Sequence, residues 1–295
     1  MKYAYYPGCS SRSTEKEYED SAKAICKVLD VELVEIPDWN CCGAGDGVYS
    51  FKPLFSFALG ARNLAIAEKM QMNIVTPCSS CCFTLNRINK ILNEDSVTKS
   101  KVNEALANVG FNYKGNAKVW HLASILLSDK VLQKMKERVK IQLNSLKVAP
   151  YYGCYLVRPP GLCSFDDPEH PTKLDNLIET LGASKVDYYG KIKCCGSFLG
   201  ITDEEIVLKM SKEILLNAKN AGADCLATAC PLCHINLDAR QKDIESRFDI
   251  KINLPVLHFT QLIGLALGIA PKDLGLEHNC VSPKRIYPLI VSDTS

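Results

Sequence analysis

A glycine-marked pair of adjacent cysteines occurs twice in this chain, and its surroundings repeat with it. Asn40-Cys41-Cys42-Gly43 lies in the first half and Lys193-Cys194-Cys195-Gly196 in the second. Upstream stand Tyr6-Pro7-Gly8-Cys9 and Tyr152-Gly153-Cys154; downstream stand Thr76-Pro77-Cys78-Ser79-Ser80-Cys81 and Thr228-Ala229-Cys230-Pro231-Leu232-Cys233. The step from Cys42 to Cys78 is 36 positions and that from Cys195 to Cys230 is 35. Two sets of five cysteines in one order mark an internal repeat, so one supersecondary plan is used twice.

The pattern between the cysteines alternates strands and helices. Lys2 to Tyr6, Val31 to Ile36, Asn73 to Thr76 and Val119 to His121 read as strands in the first half. Val148 to Tyr152, Val186 to Tyr189, Asp224 to Thr228 and Val256 to Phe259 are their counterparts. Helical stripes lie between them, for example Tyr18, Ala22, Ile25 and Leu29 after a candidate cap at Ser13, and Leu174, Leu177, Ile178 and Leu181. Strands and helices in this alternation predict an α/β fold of two pseudo-twofold-related repeats, each a small parallel sheet flanked by helices. The expected divisions are residues 1–128, a charged amphipathic connector over 129–147, residues 148–270, and a tail over 271–295. The tail segment Lys284-Arg285-Ile286-Tyr287-Pro288 is a candidate docking or disordered stretch. The basic run in the connector (Lys134, Lys136, Arg138, Lys140) reads as a solvated face, and Trp39 and Trp120 read as core.

Composition narrows the chemistry. The 295 residues carry a net charge of +2, which gives no general attraction to nucleic acid. The longest apolar run, Phe259 to Ala270, is too short to span a bilayer. The N-terminus lacks the layout of a signal peptide. A cytoplasmic chain is therefore expected, and there fifteen cysteines read as metal ligands before disulfides.

In parallel α/β sheets, ligands collect beyond the C-terminal ends of the strands. Cys9, Cys78, Cys154 and Cys230 each follow a predicted strand, so five thiols per half are expected at one rim. The Cys-x-x-Cys pairs open helices, whose free N–H groups and dipole are expected to lower thiol pKa. Zinc and an iron–sulfur cubane each take four thiolates, leaving one cysteine per half over. Five convergent thiols suggest a cluster with further or bridging thiolates. Using two adjacent cysteines needs a sharp turn, which Gly43 and Gly196 permit.

On these motifs both halves resemble the cysteine-rich CCG domain, and the chain from Cys9 to His258 resembles the B-subunit family of heterodisulfide reductase from methanogenic archaea. The resemblance implies two non-cubane 4Fe-4S clusters, one per repeat. Carried onto this sequence, the first is held by Cys9, Cys41, Cys42, Cys78 and Cys81, and the second by Cys154, Cys194, Cys195, Cys230 and Cys233. It also implies an oxidoreductase that reduces the coenzyme M–coenzyme B disulfide by one-electron transfers from the two clusters. The clusters are themselves the catalytic sites, with no separate acid or base assigned. The substrate is anionic, so Arg12, Lys52, Arg158, Lys191 and Lys193, near the ligand cysteines, are candidate contacts.

No ferredoxin-type cysteine run, dinucleotide fingerprint or flavin fingerprint is present. Electrons must therefore come from partners. The resemblance gives these as a ferredoxin-like partner of the C type, a flavin- and iron–sulfur-containing partner of the A type, and a hydrogenase or formate dehydrogenase. Other readings stay open: a CCG subunit of glycolate or lactate oxidation or of a type E succinate:quinone reductase, or an assembly subunit stapled by zinc in one or both halves.

The halves also differ. Cys82 follows the first Cys-x-x-Cys and His234 the second. Cys82 reads as a sixth ligand or a small buried residue; His234 reads as a substrate-orienting or proton-donating residue, or as packing. His121 and His258 recur at strand ends and read as structural. Cys26, Cys163, Cys225 and Cys280 have no repeat partners and read as core or tail.

Overall fold

The computed structural model describes residues 1–44, 46–163 and 165–291. Two four-stranded parallel sheets organise it. Strands β1 (Lys2–Tyr5), β2 (Glu32–Glu35), β3 (Ile74–Thr76) and β4 (Val119–His121) run in the order β2-β1-β3-β4. Strands β5 (Lys147–Tyr151), β6 (Ser184–Lys185), β7 (Cys225–Thr228) and β8 (Val256–His258) run in the order β6-β5-β7-β8. The second sheet therefore repeats the topology of the first. Every pairing is parallel, so all strand ends of a sheet share one rim.

The helix Lys16–Val28 buries Tyr18, Ala22, Ile25 and Leu29, as their spacing predicts. Its start departs from expectation. Ser13 does not cap it; a short turn, Cys9–Arg12, intervenes and Ser13 Oγ donates to the Cys9 carbonyl at 2.8 Å. Glu15 stands at the helix start, and its side chain makes no capping bond.

Three further expectations are corrected. The sixth strand is Ser184–Lys185, not Val186 to Tyr189. Val186 N still bonds Val148 O at 2.9 Å, but the backbone then leaves the ladder and returns where Tyr152 N meets Lys191 O at 2.8 Å. Val186 and Tyr188 are buried without belonging to the strand, which explains the strand-like pattern. Trp120 is 40% exposed, because in β4 Val119 and His121 face inward and the residue between them must face out. Trp39 is half-buried, edge-on to Tyr6 at 5.6 Å. Finally, the segment after Pro271 is packed: Leu274, Leu276, Ile286 and Ile290 are buried. Arg285 donates to the Asn253 and Asp224 carbonyls at 2.7 and 2.8 Å, so Lys284 to Pro288 is neither free nor unstructured.

The connector forms a helix, Asp129–Arg138, with Val131 and Met135 buried. Its basic face is not purely solvated, since Lys134 and Arg138 both bind Asp30 at 2.9 and 2.8 Å. The buried residues form two clusters, and each draws on both repeats. One joins Tyr6, Leu64 and Leu85 to Tyr151, Leu226 and Ile244; the other joins Tyr18, Ile25 and Leu122 to Val148, Leu177 and Leu257. The repeats thus share their hydrophobic interior, and this brings the two rims together.

Candidate metal centre

The ten cysteines of the doubled motif form one continuous ribbon. In the first repeat Cys9 contacts Cys41 and Cys41 contacts Cys42. Cys42 Sγ lies 3.4 Å from Cys81 Sγ, and Cys81 contacts Cys78. In the second repeat Cys154 contacts Cys194, which contacts Cys195. Cys195 Sγ lies 3.4 Å from Cys233 Sγ, and Cys233 contacts Cys230. Cys78 and Cys230 then join the two runs, near enough that Cys230 raises the pKa of Cys78 and Cys78 lowers that of Cys230. The ends of the ribbon reach solvent, with Cys9 and Cys41 exposed and Cys154 and Cys194 half-buried, while the six thiols between are buried.

Local backbone builds each run in the same way. Thr76 and Thr228 close β3 and β7, and each Oγ1 accepts from the N–H of the following ligand cysteine at 3.4 Å. Cys78 and Cys230 are the N-cap residues of the helices Ser79–Glu94 and Pro231–His234, so Cys81 and Cys233 fall in the first turn. The adjacent cysteines turn at Gly43 and Gly196, with φ of 82° and 95°. A Cβ at Gly43 would stand 2.7 Å from Ser56 O, and one at Gly196 would stand 2.8 Å from Val207 Cγ2.

All five thiols of the first set line one cavity of about 120 Å³, which Leu232 from the opposite repeat helps to close. The thiols impose on one another the charge states they can hold. Hydrogen bonds from Cys41 and Cys81 drive Cys42 well down, and those from Cys233 and Cys78 do the same for Cys230. Bonds to Cys154 and Cys195 draw Cys194 down to about 3. The donors move the other way: Cys78 rises against Cys230, Cys81 against Cys42, and Cys233 against Cys195. Of the four Cys-x-x-Cys thiols only Cys230 is lowered, chiefly by hydrogen bonds from Cys233 and Cys78, with the backbone N–H groups of the helix start adding to them. Cys78, Cys81 and Cys233 are raised by neighbouring thiols, so the lowering expected from the helix starts alone is not what sets these charge states. So many thiols in contact ionise together only around a cationic group, and a multi-metal centre fits that donor set.

The two repeats differ at two places, of which the repeat pattern signalled the second, at Cys82, and not the first. After Cys233 the helix widens into a π turn, Ile235–Ala239, whereas Ser79–Glu94 runs on regularly. The π turn sends Asn236 Nδ2 to the Cys195 and Ser197 carbonyls, both at 3.2 Å, bracing the second glycine turn. Cys82 is buried, within hydrogen-bonding reach of Cys163 from the other repeat and 3.5 Å from Asn86 Nδ2. Among the ribbon thiols Cys78 acts on it, and less strongly than Cys163 does. Cys26 and Cys225 are buried and Cys280 is exposed.

The candidate cations are placed as follows. Arg12 binds Glu19 and Glu35 at 3.0 and 2.6 Å, and Arg158 binds Glu169 at 2.7 Å. Lys191 binds Asp175 at 3.3 Å and Lys193 pairs with Glu213. Lys52 is exposed at the start of the helix Pro53–Lys69 and makes no ion pair among the described residues. The histidines separate in role. His121 Nε2 lies 3.0 Å from both Pro77 O and Ala229 O, tying the two Cys-x-x-Cys loops together, and burial pulls its pKa down to about 4. His234 and His258 instead stack at 4.1 Å beside Glu15 and Glu17. Ser79 and Tyr18 add to the same junction, each bonding Ala229 O, at 3.4 and 3.1 Å.

A doubled parallel α/β chain with cysteines gathered where its two rims meet defines the class. The family model of the CCG cysteine-rich domain matches residues 3–86 and again 148–238, and the chain belongs to that family. It is 36% identical to the 8-methylmenaquinol:fumarate reductase membrane anchor subunit of Wolinella succinogenes, over 97% of this chain and 99% of that one. It is 35% identical to the B subunit of the ferredoxin/F(420)H(2)-dependent CoB-CoM heterodisulfide reductase of Methanosarcina acetivorans, over 95% of this chain and 94% of that one. A protein of Archaeoglobus profundus described as like the heterodisulfide reductase B subunit is 34% identical over 96% of each. A hypothetical protein from Helicobacter pylori shares the fold, with a TM-score of 0.77 at 14% identity; it matches 95% of this chain, which spans about half (52%) of that one. Among the described residues no helix is long and apolar enough to cross a membrane.

Proposed function

We propose that this chain is the B-type iron–sulfur subunit of a heterodisulfide-reductase-type complex and reduces a disulfide of the coenzyme M–coenzyme B kind to two thiols. In this reading each five-cysteine set holds one non-cubane 4Fe-4S cluster. The observation that carries it is the mutual influence of Cys78 and Cys230, each shifting the other's pKa, which places two complete thiol sets next to each other. When bound, the clusters would supply two one-electron centres, matching the two electrons that disulfide cleavage takes. The chain's own part is to bring the two sets together, to bury their inner thiols from water and to leave Cys9 and Cys41 open to an incoming molecule.

Recognition of an anionic substrate falls first to Lys52, which is unpaired among the described residues; Arg12, Arg158, Lys191 and Lys193 would have to exchange their carboxylates for it. Apolar residues follow both glycine turns on the surface: Phe51, Leu54 and Phe55 after the first, and Leu199, Ile201 and Ile206 after the second. Two such patches, each following an adjacent-cysteine pair in the chain, suit docking of the electron-supplying partners. A cytoplasmic location goes with this reading.

A second reading has its own support. The Wolinella succinogenes relative is named for a fumarate reductase, and ion pairing already occupies four of the five candidate cations. A protein that only passes electrons between quinol and a dehydrogenase needs no anion site. The anaerobically purified complex should be assayed with reduced viologen and the coenzyme M–coenzyme B disulfide, and in parallel with a menaquinol analogue. Thiol release at a rate lost in C42S and C195S variants supports the first reading. Quinol oxidation without thiol release replaces it with the second.

A further inference from the structure

Beside the cysteine ribbon lies a second, entirely buried group of ligating side chains. Glu15 and Glu17 come from the start of the helix Lys16–Val28 in the first repeat. His234, next after Cys233, and His258, at the end of β8, come from the second. One carboxylate or imidazole atom from each lies within 4.8 Å of all the others. Glu15 Oε2 is 2.6 Å from His234 Nδ1 and 3.0 Å from His258 Nε2. Glu17 Oε1 is 3.8 Å from the same two nitrogens.

The arrangement of the His234 ring decides how this group is read. Its Nε2 lies 2.9 Å from Val256 O and so carries a proton, and Asn279 Nδ2 donates to the same carbonyl at 2.7 Å. The buried Nδ1 makes no directed hydrogen bond, although Glu15 Oε2 is 2.6 Å away. Two acceptor atoms this close in a dry interior need a proton or a metal ion between them. A proton competes for the place, and the second carboxylate and second imidazole converging on the same point are what suit it to a metal ion. A ring nitrogen anchored to a backbone carbonyl is also the usual support of a metal-bound histidine.

Charge leads to the same place. Against the pull of burial, Glu15 raises the His234 pKa to about 10, so without a metal the group keeps one proton and a charge near −1, with no lysine or arginine paired to Glu15 or Glu17 among the described residues. A divalent ion that displaces this proton neutralises the two carboxylates. Two nitrogens and two oxygens are a borderline donor set, suited to zinc or another divalent first-row ion rather than to calcium or magnesium. Glu15 also forgoes the capping bond its position offers and turns inward instead.

We propose that Glu15, Glu17, His234 and His258 bind a mononuclear divalent transition-metal ion, zinc by preference, that staples the two repeats together next to the cysteine ribbon. The site is separate from the ten cysteines and does not rest on what they hold. Metal and acid-labile sulfide should be measured on anaerobically purified wild-type protein and on E15Q and E17Q. The expected result is about one divalent ion per chain in excess of sulfide, whether zinc or unmatched iron. That ion should be lost in both variants while sulfide and sulfide-matched iron stay unchanged. Wild-type protein with iron equal to sulfide and no other metal, or an excess ion that stays bound in E15Q and E17Q, would overturn the proposal and leave a proton between Glu15 and His234 instead. A shortage of sulfide in the wild type would bear on the cysteine sites alone.

Discussion

Cys78 and Cys230, each the first cysteine of its Cys-x-x-Cys turn, face each other across the boundary between the repeats and shift each other's pKa in opposite directions, Cys78 up and Cys230 down. Groups held by the two sets would therefore be bound by thiols that already interact. Under the function proposed above, C230S should lose about half the iron and also change the electron paramagnetic resonance spectrum of the remaining centre. C154S, at the far end of the ribbon, should lose a similar share and leave that spectrum as it was. Equal spectra in the two variants would mean that the centres do not communicate through this contact.

The glycine turns offer a test that does not depend on which metal is bound. Gly43 and Gly196 have positive φ, and a Cβ at either meets an atom closer than 3 Å. Alanine there is both conformationally strained and overpacked, so G43A and G196A should each destabilise the chain by more than about 1 kcal/mol. Each should also displace its cysteine pair. Gly110 makes the control, since it too has positive φ but a Cβ there touches nothing. Thermal unfolding and iron content together decide: G110A should lower stability slightly at unchanged iron, whereas G43A and G196A should lower both.

These turns also show what was legible in sequence. The repeat of Cys-Cys-Gly and Cys-x-x-Cys, with strands ending at Thr76 and Thr228, carried both the sheet topology and the convergence of five thiols per half. Those features are local, because a strand, a turn and a helix start are each set by a few neighbouring residues. Contacts between the halves were not legible. Nothing near Glu15 in the chain signals His234 or His258, some 220 and 240 residues further on. Its one trace is negative: an acidic residue stands at the helix start beside Ser13, the better capping candidate by residue type. Likewise Val186 to Tyr189 kept the composition of a strand after leaving the ladder, and hydrophobic pattern reports burial rather than pairing.

Tyr18 joins the repeats in two ways that mutation can separate. Its hydroxyl donates to Ala229 O at 3.1 Å, and its ring stacks on His258 at 4.0 Å with 11° between planes. Ala229 O also has His121 Nε2 at 3.0 Å, so losing the hydroxyl does not strand the carbonyl. Y18F should therefore cost about 1 kcal/mol. Y18A, which empties the space between the repeats, should cost about 3–5 kcal/mol. Because both hydrophobic clusters draw on both sheets, denaturant unfolding of each variant should remain one transition seen alike by fluorescence and circular dichroism. Two separated transitions would show that the repeats fold independently.

Cys81 and Cys82 are adjacent, both buried and both thiols, yet they face different neighbours. Cys81 Sγ lies 3.4 Å from Cys42 Sγ inside the cavity, and a Cβ on Gly8 would come within 3.1 Å of it. Cys82, one position further round the helix Ser79–Glu94, turns toward Cys163 and Asn86. If Cys82 is a packing residue, C82A removes a small buried group and costs about 1 kcal/mol, with no loss of iron or sulfide. C81A should cost the first site its metal under the same conditions. The double variant C82A/C163A should behave as C82A does in metal content, because both thiols lie outside the ribbon. Iron lost from C82A in proportion to that lost from C81A would instead make Cys82 a sixth ligand of the first site.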